Sequence, residues 1–332
     1  MSVDQPELKR GCKIDNFRLL RKIGHGGYGN IFIVQNSEDH NFYAMKIERS
    51  DVKGRGLKYE IRFSACLQNS LYFPQVYKTA ETDKYRYIIM EILGPSFANL
   101  KAILPRQRFS KYSTFYAGYH MLKCIEELHR RGFAHRDIKP GNFLLRPNFE
   151  YPICLIDFGL SRSYVDGKTG RILPPRDHPG FVGTSRYASI NALAGGEQIL
   201  KDDLISWFYT MVDMTKGLPW SSSKDREKVK IAKKNTSGAF LCKGLPEQMI
   251  QIYEHIKTLD FYSKPDYELM YHLLEEAIAV VKKDRKCFDW DKLKRRDLKK
   301  ISGIDIRNVN EDGKCPVFYK TKDIGSSVCT IQ

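Results

Sequence analysis

The stretch HRDIKPGNF, residues 135–143, sets an acid (Asp137), a lysine (Lys139) and an amide (Asn142) close together, with Pro140 and Gly141 between them. Proline fixes φ and lacks an N–H, and glycine reaches conformations closed to other residues, so the PG pair marks a turn. A turn, unlike a helix, can point Asp137 and Asn142 into one cleft. Downstream, CLIDFGLS (154–161) ends an apolar strand-like run on Asp157, just ahead of Gly159. A carboxylate leaving a buried strand beside a glycine is well placed to hold a hard cation.

Working outward toward the N-terminus, residues 17–92 read mainly as strands. IFIV (31–34), FYAMKI (42–47) and YRYIIMEI (85–92) are short, rich in β-branched and aromatic residues, and separated by turn formers. One helix interrupts them in GLKYEIRFSACLQ, with Leu57, Ile61, Ala65 and Leu67 expected on one face. IGHGGYGNIFIV places Gly24, Gly26 and Gly29 in a G-x-G-x-x-G pattern. A strand rather than a helix follows it, which suits a hairpin lid over phosphates better than a dinucleotide turn. Lys46 lies in an apolar strand. A buried ammonium needs a carboxylate or phosphate partner, and Glu60 on the one helix of this region is the expected carboxylate.

After LGPS (93–96) the pattern becomes helical. Phe115, Tyr119, Leu122, Ile125 and Leu128 recur near helical spacing, Gly132 reads as a stop, and further helices are expected over 202–215, 246–259 and 266–281. The fold class is therefore α+β and bilobal. A small β-rich lobe with one main helix (17–93) joins a larger, mainly α-helical lobe (94–290). Residues 1–16 form a polar lead-in, and 291–332 a basic segment and tail.

These pieces imply one chemistry. Magnesium takes one or two protein oxygens and fills its shell from phosphate and water. Asn142 and Asp157 can supply that pair without crowding negative charge around a triphosphate. Asp137 is then free to orient and accept the proton of an attacking hydroxyl, and Lys139 to follow the γ-phosphate. HRD alone could be a charged loop and DFG alone a turn; both, in order, after a glycine loop, a strand lysine and a helix glutamate, leave that reading little room.

The bulk numbers agree. The 332 residues are 42% hydrophobic and 28% charged, a composition that builds a core rather than a disordered chain. A net charge of +16 suggests an anionic partner without choosing among nucleotide, nucleic acid, acidic membrane and acidic protein. The eight cysteines include no CxxC pair. That argues against zinc and a disulfide framework and fits a reduced, intracellular compartment, cytoplasmic or nuclear. No secretory signal is visible, and no apolar run approaches the ~20 residues that span a bilayer.

GHGGYG, AMK, Glu60, HRDIKPGN and DFG together resemble the eukaryotic protein kinases over residues 17–290. LGPS, GTSRYASIN (183–191), DDLISW (202–207), LPW (218–220) and KPDY (264–267) are similar to the casein kinase 1 family. RILPPRDHPGFVGTSRYASINA and CFDW resemble its tau-tubulin kinase branch. The resemblance implies a serine/threonine protein kinase that uses ATP and Mg2+. It implies that Ile23, Gly24, Gly26, Gly29, Ile31, Lys46 and Glu60 line the ATP site, with Met90 as gatekeeper and Glu91 to Leu93 as the hinge that meets adenine through its backbone. It implies that Asp203 bonds the catalytic-loop backbone, and that Thr184 bonds Asp137 and Lys139. One departure stands out: SIN (189–191) replaces the usual APE, and Lys264 the arginine that pairs with it, so both halves of an ion pair change together.

The same resemblance implies acidic or already phosphorylated protein substrates, read by Arg186 and Lys224 with Lys216 nearby. A monomer is expected. The basic run KLKRRDLKK (292–300) is read as a soluble helix end. The ending CTIQ fits a prenylation pattern at Cys329, the one route to membrane contact. Two rivals stand against an enzyme: a pseudokinase scaffold, countered by the complete set of residues, and a nucleic-acid-binding protein, for which no recognised module is present.

Overall fold

The computed structural model describes residues 8–26, 29–52, 56–146, 150, 152–282 and 287–293. The first lobe is an antiparallel sheet with β1 (Lys13–Ile14), β2 (Phe17–Gly26), β3 (Gly29–Asn36), β4 (Phe42–Arg49), β5 (Val76–Glu81) and β6 (Tyr85–Met90), in the order β1-β2-β3-β4-β6-β5. Alternation along each strand gives the sheet two faces. Phe17, Leu19, Phe32, Val34, Met45, Ile47, Tyr87 and Ile89 pack into a core on one of them. Residues out of phase with these, Ala44, Lys46 and Glu48 on β4 among them, serve the other. The lead-in is not separate from the lobe: β1 pairs with β2, and Leu8, Cys12 and Ile14 pack against its core.

Helix α1 (Gly56–Cys66) sits against that second face. Its buried side is formed by Leu57, Glu60, Phe63 and Ser64, continued by Leu67 in the turn beyond. Of the expected face Leu57 and Leu67 are buried, whereas Ala65 is exposed and Ile61 only half-buried. An apolar-only pattern misses a face whose charged member, Glu60, has a matched partner. The strand expected over 85–92 also ends two residues early, at Met90.

The second lobe is built on α2 (Phe97–Ile103), α3 (Lys111–Arg130), α4 (Ile190–Leu193), α5 (Leu200–Thr215), α6 (Arg226–Lys234), α7 (Gly238–Cys242), α8 (Gln248–Thr258) and α9 (Tyr267–Val281). Short strands β7 (Phe133–Ala134) and β10 (Arg162–Ser163) pair with each other, as do β8 (Phe143–Leu145) and β9 (Ile153–Leu155). Helix α3 is the axle, packed by α5, α9 and β9. Its close approach to α5 is fixed where the Trp207 indole N–H donates to the Gly118 carbonyl, 2.9 Å away. Helix α3 ends where the Gly132 amide bonds the His129 carbonyl.

A clasp closes this lobe over α2 and the start of α3. Phe288 and Trp290 stack on each other and against Phe97, Phe109, Tyr112 and Tyr116. The Asp289 carboxylate accepts the Ser110 amide at 2.6 Å, and the Asp289 amide donates to Ser113 Oγ at 2.9 Å. Among the described residues no helix is long and apolar enough to cross a membrane. Lys294–Lys300 of the basic run, and Cys329, lie outside the described residues.

Candidate active site

Strand β4 positions α1 twice. Lys46 and Glu48 are two apart on a strand and so share a face. Lys46 Nζ reaches Glu60 at 2.5 Å and Asp157 at 3.3 Å. Burial works against its charge, but the two carboxylates outweigh it and raise the lysine above its ordinary value. Glu48 accepts the Leu57 amide at 3.0 Å, an orphan donor at the helix N-terminus, and lies against Gly56.

The glycine pattern forms the β2–β3 hairpin, with Gly24 opposite Ile31 and Gly26 opposite Gly29. A register shift between Lys22 and Gly24 leaves Ile23 outside the pairing. Gly29, at φ +126°, is required for packing as well: a Cβ there would collide with the Ile47 carbonyl. Ile31 and Lys46 are cross-strand neighbours, as are Ala44 and Met90.

At the hinge the Glu91 amide donates to the Gln75 carbonyl at 3.0 Å. The Glu91 carboxylate accepts the Gln75 amide at 2.8 Å and pairs with Arg146, whose guanidinium also bonds the Phe73 carbonyl at 2.9 Å. Leu93 is buried, and the Gly94 amide bonds the Leu145 carbonyl. Among the described residues, the Glu91 carbonyl and the amide and carbonyl of Leu93 enter no backbone hydrogen bond.

In the second lobe Pro140–Asn142 is a single 3-10 turn leading directly into β8. Phe143 faces Leu155 across the β8–β9 hairpin, and the Ile156 amide bonds the Asn142 carbonyl at 2.9 Å. Asn142 and Asp157 therefore leave the same end of one hairpin. The Asn142 amide nitrogen donates to the Asp137 carbonyl at 2.9 Å, which leaves its side-chain oxygen as the free acceptor. Asp157 is in the left-handed region at φ +69°, as is Arg136 at φ +68°. Conformations that non-glycine residues rarely adopt persist where the surroundings over-determine them. Burial raises the Asp157 pKa, but Lys46, His135 and Lys139 pull it below the usual carboxylate range. Phe158 is wedged among Phe63, Phe73 and His135, with ring centroids 5.5 Å away in each case.

Asp137 is held from two sides. One oxygen accepts Thr184 Oγ1 at 2.7 Å and the other Lys139 Nζ at 2.5 Å; Lys139 and Thr184 are 3.3 Å apart. Gly183, at φ +100°, lets this segment approach, since a Cβ would lie 2.5 Å from the Arg136 carbonyl. Beneath them Asp203 accepts the amides of His135 (2.6 Å) and Arg136 (2.8 Å) and contacts His129 at 3.0 Å. Burial opposes its charge, yet His129 and these bonds keep its pKa low. The Arg136 guanidinium donates to the Leu160 carbonyl at 2.8 Å.

The altered SIN segment is anchored in reverse. Here the acid is on α5: Asp202 accepts Ser189 Oγ at 2.5 Å, the Asn191 amide at 3.1 Å and the Ile199 amide at 3.0 Å. Lys264 is exposed and, among the described residues, enters no ion pair.

The proposed anion set is only partly assembled. Arg186 is exposed and donates to the Ser221 carbonyl at 2.7 Å, while the Trp220 indole donates to the Arg186 carbonyl at 2.8 Å, which brings the loop carrying exposed Lys224 alongside. Lys216 does not join them. Its ammonium bonds the carbonyls of Phe240 (3.1 Å) and Lys243 (3.0 Å), capping the end of α7. Its position beside Gly217 suggested the loop, but the side chain turns back toward the C-terminal carbonyls of α7. Glu48, Arg146 and Asp202 escaped the sequence reading; only the S-x-N spacing before an acidic helix start hinted at the last.

Fold and site together define a bilobal α+β protein with its charged groups gathered in one place, and comparison with known proteins names the family. The protein kinase domain matches residues 17–299, and the chain belongs to that family. It is 33% identical over 277 residues to a probable serine/threonine-protein kinase of Dictyostelium discoideum, an alignment covering 82% of this chain and 56% of that protein. The chain thus spans little more than half the length of that curated relative.

Proposed function

We propose that the chain transfers the γ-phosphoryl group of ATP to serine and threonine hydroxyls of proteins. The observation that carries this is the Asp137–Lys139–Thr184 triangle standing beside Asn142, Asp157 and the Lys46–Glu60 pair. A bond forms between the acceptor oxygen and the γ-phosphorus, the bond to the bridging oxygen breaks, and ADP leaves. Asp137, its carboxylate aimed by Thr184 and Lys139, orients the hydroxyl and receives its proton. Lys139 stays with the transferring group, and Lys46, fixed by Glu60, faces the other phosphates. The unpaired backbone groups of Glu91 and Leu93 would meet adenine, beside Met90, Ile23 and Ile31.

One amide oxygen and one carboxylate suit an ion that takes the rest of its shell from phosphate and water, so Asn142 and Asp157 fit Mg2+. Once bound, that ion would neutralise phosphate charge during transfer. The test is an assay with labelled ATP, casein and tubulin-type substrates. Transfer is expected from the wild type and only a trace from a folded Asp157→Asn variant; undiminished transfer in the variant overturns the roles assigned here.

We place the chain within casein kinase 1, in the tau-tubulin branch, on the motifs quoted above. Arg186 and Lys224 would then read a phosphate or carboxylate near the target hydroxyl, without Lys216. A peptide array compares acidic, primed and neutral peptides. Equal rates on all three, unaltered by Arg186→Ala with Lys224→Ala, would end that reading. A cytoplasmic or nuclear monomer, unmodified at Cys329, completes the proposal; intact mass from the native cell checks the last point.

A further inference from the structure

A second lysine is as deeply buried as Lys46 and has no part in the chemistry above. Lys233 on α6 is 3% exposed, and among the described residues it forms no ion pair. Its amino group donates instead to two backbone carbonyls, Ser185 at 2.9 Å and Ala188 at 2.5 Å. It lies over the Tyr209 ring at 4.8 Å and the Trp220 ring at 5.1 Å. Carbonyl dipoles and ring faces both favour a cation, and they do so without a carboxylate.

The residues it grips follow Thr184, which holds Asp137. The amides of Tyr187 and Ala188 turn back to the Thr184 carbonyl at 3.0 Å. The Arg186 carbonyl is taken by Trp220, and the Tyr187 hydroxyl donates to Asp213 at 2.9 Å, an acid that Lys101 on α2 holds at 2.5 Å. Lys233 joins both ends of the 185–188 loop. Without it two carbonyls in a largely buried setting lose their donor, and the loop has reason to rearrange.

We propose that Lys233 is a positioning residue for the protein substrate: it fixes the 185–188 loop as the platform on which residues beside the acceptor hydroxyl lie. This rests on the phosphotransfer reading. It assigns Lys233 an effect on peptide and not on nucleotide, since its contacts run to the substrate side of Thr184 and, among the described residues, none runs to Lys46, the glycine hairpin or the hinge.

The experiment is steady-state kinetics on the full chain with ATP and an acidic serine peptide, for wild type, Lys233→Met and Trp220→Phe. The second variant keeps a ring over the lysine but removes the donor to Arg186, so it reports on the same loop should Lys233→Met fail to fold. Lys233→Met is expected to raise the peptide KM about tenfold with the ATP KM within about twofold, the loss of two hydrogen bonds. Trp220→Phe should raise the peptide KM about threefold, the loss of one. Unchanged peptide KM in both, or equal losses toward ATP and peptide, overturns the proposal. Amide hydrogen exchange over residues 184–189 needs no turnover and separates the two readings. Faster exchange in the variants supports the platform even if the wild type transfers nothing, and unchanged exchange refutes it even if it does.

Discussion

The two buried lysines solve one problem in opposite ways. Lys46 and Lys233 are 4% and 3% exposed, yet Lys46 is met by two carboxylates and Lys233 by two carbonyls and two aromatic faces. Formal charges hold the side proposed for the nucleotide, where a phosphate chain would be received. Dipoles and π-faces hold the loop beside it, where a neutral backbone has to be kept in shape. The difference appears in their titration. Carboxylates raise Lys46 above the ordinary lysine value despite burial, whereas burial drives Lys233 down to about 7. Lys46 therefore holds its proton more firmly than Lys233 does.

The largest test of this contrast is on the charged side. Asp157→Asn should lower phosphate transfer by about three powers of ten, the several kcal/mol of charge stabilisation a bound ion supplies. Its circular dichroism should not change. Lys46→Met strands Glu60 and brings Asp157 back toward ordinary acidity; denaturant unfolding should show a loss of about 3 kcal/mol, as for a broken buried pair. Next comes pH. Lys233 has a folded pKa below its unfolded value of 10.5, so the unfolded chain binds more protons between about pH 7 and 10.5 and stability rises with pH there, by up to about 1.4 kcal/mol per unit. Lys46 has the reverse sign: its contribution is whole below 10.5 and is lost only as pH climbs past its raised folded value. Unfolding midpoints from pH 7 to 9.5 should climb less in Lys233→Met than in wild type; equal slopes would erase the contrast. The smallest effect is Glu48→Ala, about 1 kcal/mol for a lost helix cap, with the ATP KM rising as α1 and Glu60 loosen.

The elements that were legible in the sequence are those whose chemistry is packed into a few consecutive residues. The glycine hairpin, HRDIKPGNF and DFG carry turn formers and charged groups at fixed spacing, so their local geometry follows from the chain itself. Lys46 and Glu60 are distant in sequence, but a charge inside an apolar strand announces that it needs a partner. By contrast, Arg146 and Glu91 are 55 residues apart, and Lys233 and Ser185 are 48. Neither pairing shows in the sequence until the chain is folded. Lys233 in particular sits in a run of lysines, REKVKIAKK, where solvation is the natural expectation. Helix α1 and the turn beyond it bury only Leu57 and Leu67 of the expected face for a related reason. Apolarity alone does not find that face, because a residue that decides it, Glu60, is an acid.

The Phe288–Trp290 clasp sets a practical limit on trimming the protein. Helix α9 ends at Val281, and a shortened chain stopped there would keep every catalytic group described above. It would also bare the rings of Phe97 and Phe109 and free the start of α3, which Asp289 ties down. Such a fragment would be expected to stick to itself through that uncovered aromatic floor, and to loosen α2, which packs against the Pro140–Asn142 turn.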